Sequence, residues 1–167
     1  MGISLHAYPV SDSQLDAFQR DPAALTAWLP PFDAGGAPGV TLFSYWRDLN
    51  QILTQVVGTA NLPWSVLVEG ELLFPAAADM GAHAVRSLTA RALGDALAAI
   101  TEQHLDQYGR ACWKRLSLHR GENPVPTPPQ LASITSDYRS ALRSLVHVQC
   151  LAAASGQGLF FSRWEDF

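Results

Sequence analysis

Positive charge is in short supply in this sequence: 11 Lys and Arg stand against 15 Asp and Glu, for a net charge of −4. No basic field is available for a phosphate backbone, so nucleic acid is not an expected partner. Cysteine is scarce as well. Cys112 and Cys150 make neither a disulfide framework nor a CxxC motif, which suits a reducing compartment. No apolar run approaches the ~20 residues that span a bilayer, so no membrane partner is expected. Met1-Gly2-Ile3-Ser4-Leu5-His6 lacks the basic start of a signal peptide and the Ser or Thr that myristoylation wants at position 6. A cytoplasmic protein is the resulting expectation. The readily legible catalytic motifs are missing too: no GxSxG elbow, phosphate loop, GxGxxG or HExxH occurs. These absences remove the familiar enzyme classes and point to no cofactor, while leaving open a site assembled from distant residues.

What is present is enough apolar material for a core. Residues 1–167 are 48% hydrophobic, which fits one domain able to bury roughly 70% of its unfolded surface. The clearest helix starts at Thr127-Pro128-Pro129-Gln130, a capping box with proline where a missing N–H is harmless. Leu131, Ile134, Tyr138, Leu142, Leu145, Val148 and Ala152 form its apolar stripe, opposite Ser136, Arg139, Ser140, Arg143 and His147. Gly156 and Gly158 bracket its end, and 159–164 reads as a strand. At the other end of the chain, 3–8 alternates as a strand with Ile3, Leu5 and Ala7 inward.

Between these ends the spacing predicts further helices. Ser11 and Gln14 form a capping box, with Val10 and Leu15 as a hydrophobic staple; Asp21-Pro22 starts a second helix with Leu25, Trp28 and Leu29 inward, stopped by Pro30-Pro31. Residues 32–40 read as a loop. Residues 42–57 are amphipathic, with Gly58 as cap, and 61–85 are irregular apart from a short strand at 66–68. Thr89 is read as the cap of a helix to about residue 103, with Leu93, Ala96, Leu97, Ile100 and His104 inward. A further helical segment to about residue 118 has Leu105, Trp113 and Leu116 as its apolar side. The fold class that follows is α+β: a small sheet including the N- and C-terminal strands, packed by five or six helices.

Several of these segments carry a family resemblance. Met1-Gly2, Tyr8-x-Val10-Ser11 and Gln14-Leu15 lead into Asp21-Pro22-x-x-Leu25; later come Trp46-x-x-Leu49-x-x-Ile52-Leu53, Arg86-Ser87-Leu88-Thr89, and 138–154 followed by Gly156-Gln157-Gly158. Together they resemble the YfbM-like family of small bacterial proteins, a domain-of-unknown-function family. The chain departs from that pattern at Val68-Glu69-Gly70-Glu71 and Gly81-Ala82-His83-Ala84, where Gly-Gly and Tyr-Gly steps belong. The resemblance implies a compact α+β domain and brings no catalytic residue.

Candidate chemistry therefore rests on the residues themselves. Glu69, Glu71, Asp79, His83 and Arg86 gather in the irregular segment, where carboxylates beside an imidazole and a guanidinium suit proton transfer or an anionic ligand; Trp46 and Tyr138 are candidate aromatic walls. The plainer reading is a loop kept soluble by surface ion pairs. Arg139, Arg143 and His147 make a ridge of like sign that asks for carboxylate neighbours or an anionic partner. Trp164 and Phe167 at the tail, with Arg139 and Arg143, are the candidate interaction surface. His147 and Cys150 have zinc-ligand spacing but need two more ligands, so no metal is assigned. His104 reads as a boundary histidine bonded to backbone rather than a general base.

Three functional readings follow. The first is a non-enzymatic interaction protein that binds another protein or itself as a homodimer, an immunity-like role being one version. The second is a small-molecule ligand held between residues 42–57, the 61–86 segment and the long helix. The third is an enzyme using Asp79, His83 and Arg86.

Overall fold

Ser11 ends one element and starts the next. Its hydroxyl accepts from the Gln14 N–H at 3.2 Å while its own N–H donates to Gln14 Oε1 at 3.1 Å, so both orphan groups at the junction of β1 (Gly2–Val10) and α1 (Asp12–Arg20) are satisfied. The staple residues Val10 and Leu15 are fully buried. Asp21 then serves both sides of a corner, ending α1 and capping α2 (Pro22–Trp28) by accepting from the Ala23 N–H at 3.0 Å.

The computed structural model describes residues 2–29, 40–41, 46–57 and 82–166. Within these the remaining elements are β2 (Val40–Thr41), α3 (Trp46–Val57), β3 (His83–Val85), α4 (Ser87–Ala98), α5 (Glu102–Arg120), α6 (Pro128–Ala154) and β4 (Gly158–Asp166). Pro30-Pro31, most of the 32–40 loop, the start of the 42–57 helix, Gly58, the strand expected at 66–68, Glu69, Glu71, Asp79 and Phe167 lie outside the described residues.

The two chain ends pair with each other. β1 and β4 run antiparallel from Gly2↔Asp166 to Val10↔Gly158, with β2 on the outer side of β1 and β3 on the outer side of β4, giving the order β2-β1-β4-β3. The fold is α+β, with six helices described. Strand alternation splits the core in two. Leu5, Ala7, Val85, Leu159 and Phe161 face α3, α4, α5 and α6. Val10, Ala84 and Phe160 face α1 and α2, where Phe18 and Trp28 pack edge-on to Phe160 or tilted against each other.

The structure corrects the sequence reading in the middle of the chain. The two helical segments expected, to about 103 and then to about 118, are present with shifted bounds: α4 begins at Ser87 rather than behind Thr89, and the break falls earlier, at 99–101, where Thr101 caps α5. His104 belongs to that cap; its Nδ1 accepts from the Thr101 N–H at 3.1 Å, so it is a half-buried residue bonded to backbone. Leu116, expected inward, is 48% exposed; the buried side of α5 is Leu105, Tyr108, Gly109 and Cys112. Residues 83–85, read as irregular, are a strand held by β4, and Val40 at the end of the expected loop belongs to β2.

Three close approaches set how the helices and sheet meet. Gly158 enters β4 where any Cβ would strike the Val85 carbonyl oxygen and Arg86, so a side chain there would drive β3 off. Gly94 of α4 faces the Gln149 side chain of α6, whose Nε2 donates to the Ala90 carbonyl at 3.1 Å inside the α4–α6 contact. Gly109 of α5 lies against Leu131 and Thr135 of α6. Gly121 and Gly156, with φ of 67° and 64°, supply the left-handed turns after α5 and α6.

A candidate binding cleft between α5 and α6

α5 and α6 run antiparallel side by side, as the Gly109 contact with Leu131 and Thr135 and the Glu102–Arg139 pair together require. On α5, Glu102, Asp106 and Arg110 are spaced by four and so share one flank, adjoining the buried side. On α6 the matching flank carries Pro128, Leu131, Ala132, Thr135 and Arg139. Asp106, Arg110, Pro126, Pro128, Leu131, Ala132, Thr135 and Arg139 line an open cleft of about 290 Å³. Pro126 is buried at its end and Leu131 forms part of its apolar floor. Thr135 adds little polarity to the floor, because its hydroxyl donates back to the Leu131 carbonyl at 3.0 Å.

The charges around the cleft differ in what they already hold. Arg139 grips Glu102 with two prongs, Nε to Oε1 at 2.9 Å and Nη2 to Oε2 at 2.6 Å. The Arg139 hydrogen bond holds the Glu102 carboxyl below its ordinary range against a smaller opposing effect of desolvation, with the Arg139 and Arg143 charges adding to the lowering. The same bond raises Arg139. The carboxylate neighbour that the Arg139–Arg143–His147 ridge asked for is therefore Glu102, reached across the helix pair. Asp106 and Arg110 make no hydrogen bond or ion pair among the described residues. One anion and one cation thus stand in the cleft a helical turn apart without a hydrogen bond, although the Asp106 charge also acts on Arg139 across the cleft and adds to its raising.

The candidate residues from the irregular segment are placed elsewhere. His83 lies in β3, 1% exposed, its ring stacked on Phe161 with centroids 5.2 Å apart. Arg86 leaves the chain on the other face of the sheet, toward α1, where Nη1 donates to Asp16 Oδ1 at 2.8 Å. The sheet separates the imidazole from the guanidinium. Asp12, also on α1, caps α4 through the Ser87 N–H at 3.0 Å and the Ser87 hydroxyl at 2.7 Å. Burial works against ionisation of that carboxyl, but the two Ser87 bonds and the Arg86 charge outweigh it and leave Asp12 below its usual value.

Tyr138 belongs to a third place, a buried polar knot where α3, α5 and α6 meet. Its ring lies edge-on to Tyr108 at 5.5 Å. The Tyr108 hydroxyl lies 2.8 Å from Asp48 Oδ1 and 2.5 Å from Gln51 Oε1, two acceptors that share its one proton. Burial first, then the Asp48 carboxylate and Cys112, push both phenols far above their ordinary range; for Tyr138 the Arg115 charge opposes this. A thiol, two phenols and a carboxylate are gathered here, and each closes a helix–helix contact.

His83, Arg86 and Tyr138 are therefore in three separate environments. The side chains of Trp46 and Trp164, like Asp79 and Phe167, lie outside the described residues. Arg143 is exposed one turn beyond Arg139. Among the described residues no group of three or more His, Cys, Asp or Glu converges as a metal site, and no helix is long and apolar enough to cross a membrane. Comparison with protein-family models, curated proteins and solved structures gave no match.

Proposed function

We propose that this chain is a non-enzymatic binding protein whose ligand sits in the cleft between α5 and α6. The observation that carries the reading is the pair Asp106 and Arg110, opposite charges lining a concave, partly apolar surface without a hydrogen bond or close ion pair to any described residue. Elsewhere the groups suited to chemistry serve the fold: Arg86 holds α1, Asp12 caps α4, and Tyr108 ties α5 to α3. A protein partner remains a second reading, favoured by Val125, 64% exposed beside the cleft residue Pro126, which offers an apolar lip to a larger surface. We read the motifs that resemble the YfbM-like family as support for kinship with it, and they carry over no activity.

Native mass spectrometry on protein recovered gently from its own host tests this, with Ala132→Trp as the cleft-filling control. The expected result is a bound species on the 18.1 kDa chain that Ala132→Trp lacks. Equal retention by both proteins places the ligand elsewhere. A bare wild-type chain whose cleft amides respond to no member of a metabolite panel refutes the reading.

A further inference from the structure

We infer that the cleft between α5 and α6 takes a zwitterionic ligand of amino-acid size with an apolar side chain, its ammonium on Asp106 and its carboxylate on Arg110. The inference rests on the cleft being a binding site and adds the class of molecule. Three observations converge on that class.

The first is charge. Glu102 has already claimed Arg139, through two prongs. Facing the cleft beside that pair are one carboxylate, whose charge Arg139 also feels, and one guanidinium, neither hydrogen-bonded. A phosphate or dicarboxylate would gain Arg110 and meet repulsion from Asp106, and a simple amine would meet the reverse. Only a ligand carrying both signs satisfies both groups. The second is spacing. Residues four apart on a helix have Cβ atoms roughly 5–6 Å from each other, which suits two groups closing on an ammonium and a carboxylate attached to one carbon. The third is size and surface. At about 290 Å³ the cleft lies at the bottom of the roughly 300–1,000 Å³ range of small-molecule sites, too small for a nucleotide. Leu131, Ala132, Pro126 and Pro128 give the remainder of the ligand an apolar bed.

Asp106 and Arg110 are not closed on each other in the structure, and such pairing would compete only weakly. An exposed i, i+4 pair on a helix is a weak attraction that water and salt screen, so a ligand that offers a better partner to each group displaces little.

The test is an NMR titration of ¹⁵N-labelled full chain with L-leucine, N-acetyl-L-leucine and L-leucinamide, which present both charges, the carboxylate alone and the ammonium alone. L-Leucine is expected to shift amides in 106–110 and 131–135. The two blocked forms are expected to bind about tenfold more weakly or worse, the usual loss when a charged group goes without its partner. Arg110→Gln should make leucine and leucinamide equivalent, and Asp106→Asn should do the same for leucine and N-acetyl-leucine. Neither side chain makes an internal hydrogen bond, and the Asp106 interaction with Arg139 is a surface one, so both variants are expected to keep the fold. If N-acetyl-L-leucine binds the cleft as tightly as leucine, the zwitterion assignment falls and the cleft stands as a site. If leucine, methionine and phenylalanine all leave the cleft amides unmoved while another compound shifts them, this inference alone fails. No cleft response to any compound overturns both.

Discussion

Replacing Gly94 by alanine should destabilise this protein, although alanine is the better helix former. Removing a glycine from a helix interior is ordinarily worth about 1 kcal/mol in favour of the fold. Here the new Cβ would enter the space of the Gln149 amide, with Cδ at 2.7 Å and Nε2 nearer still. Gln149 is 7% exposed, and its Nε2 donates to the Ala90 carbonyl. Expelling that amide breaks the bond and leaves a buried carbonyl unsatisfied, at a cost of about 1–3 kcal/mol; crowding between α4 and α6 adds about 1–3 kcal/mol more. The expected net loss is about 3 kcal/mol, or a fall in Tm of about 6–12 °C for a domain of this length. The decisive arm is the same substitution in a Gln149→Ala background. With the amide gone the helix-propensity gain has nothing to oppose it, and Gly94→Ala should turn stabilising by about 0.5–1 kcal/mol. Urea unfolding followed by circular dichroism reads all four proteins. Stabilisation by Gly94→Ala in both backgrounds would refute the claim that Gln149 is why position 94 is glycine.

Two further predictions concern pH. The Asp12 carboxyl ionises more readily in the fold than its ordinary value of 3.8, so its contribution is intact above that value and is lost as the pH falls through the lower folded value. Asp12→Ala should cost about 1 kcal/mol at neutral pH, the usual worth of a helix cap, and the gap to wild type should close in acid unfolding curves. Tyr108 and Tyr138 behave oppositely: their folded values lie above the ordinary 10.0, so the folded state loses stability as the pH rises past 10.0 and the unfolded chain begins to ionise. Ultraviolet titration should show neither phenol ionising before the helical signal is lost, and early ionisation of both would contradict the buried contact with Asp48.

Most of the periphery of the fold was legible because its signals are local. Ser11 with Gln14, Asp21 with Pro22, and Thr127 with Gln130 each fix a helix start within four residues, and all three caps form. The two end strands were legible as members of one sheet, but their order and antiparallel register depend on contacts across the whole chain. The position of the break, at 99–101, was hidden for a physical reason. Leu93, Leu97 and Ile100 continue in helical phase up to the break, and the capping box that restarts the chain uses the His104 imidazole where Glu or Gln is the usual signal. β3 was hidden because three residues, His83-Ala84-Val85, are too few to carry a periodic signal and become a strand only when β4 supplies the edge.

The cleft was harder to foresee, since Asp106 and Arg110 on a lone helix look like any solvated pair. What distinguishes them is α6, brought close by the missing side chain at Gly109. A Cβ there would lie 3.1 Å from Thr135 Cγ2 and 3.2 Å from Leu131 Cδ1, so the helices would have to part by a few tenths of an ångström. For Gly109→Ala the helix-propensity gain of about 1 kcal/mol is set against overpacking of about 1–3 kcal/mol, and the expected change in stability is a loss of about 1 kcal/mol. Stability is the lesser readout. Because Asp106 and Arg110 flank position 109 and Leu131 floors the cleft, parting the helices moves the charged flank away from the apolar bed. The amide signals of Leu131, Ala132 and Thr135 should therefore move while those of β1 and β4 stay in place, and leucine should bind the variant more weakly although every lining residue is intact. Unaltered α6 signals in a folded Gly109→Ala protein would show that the helix spacing is set elsewhere, and would separate the cleft from the glycine that we hold responsible for it.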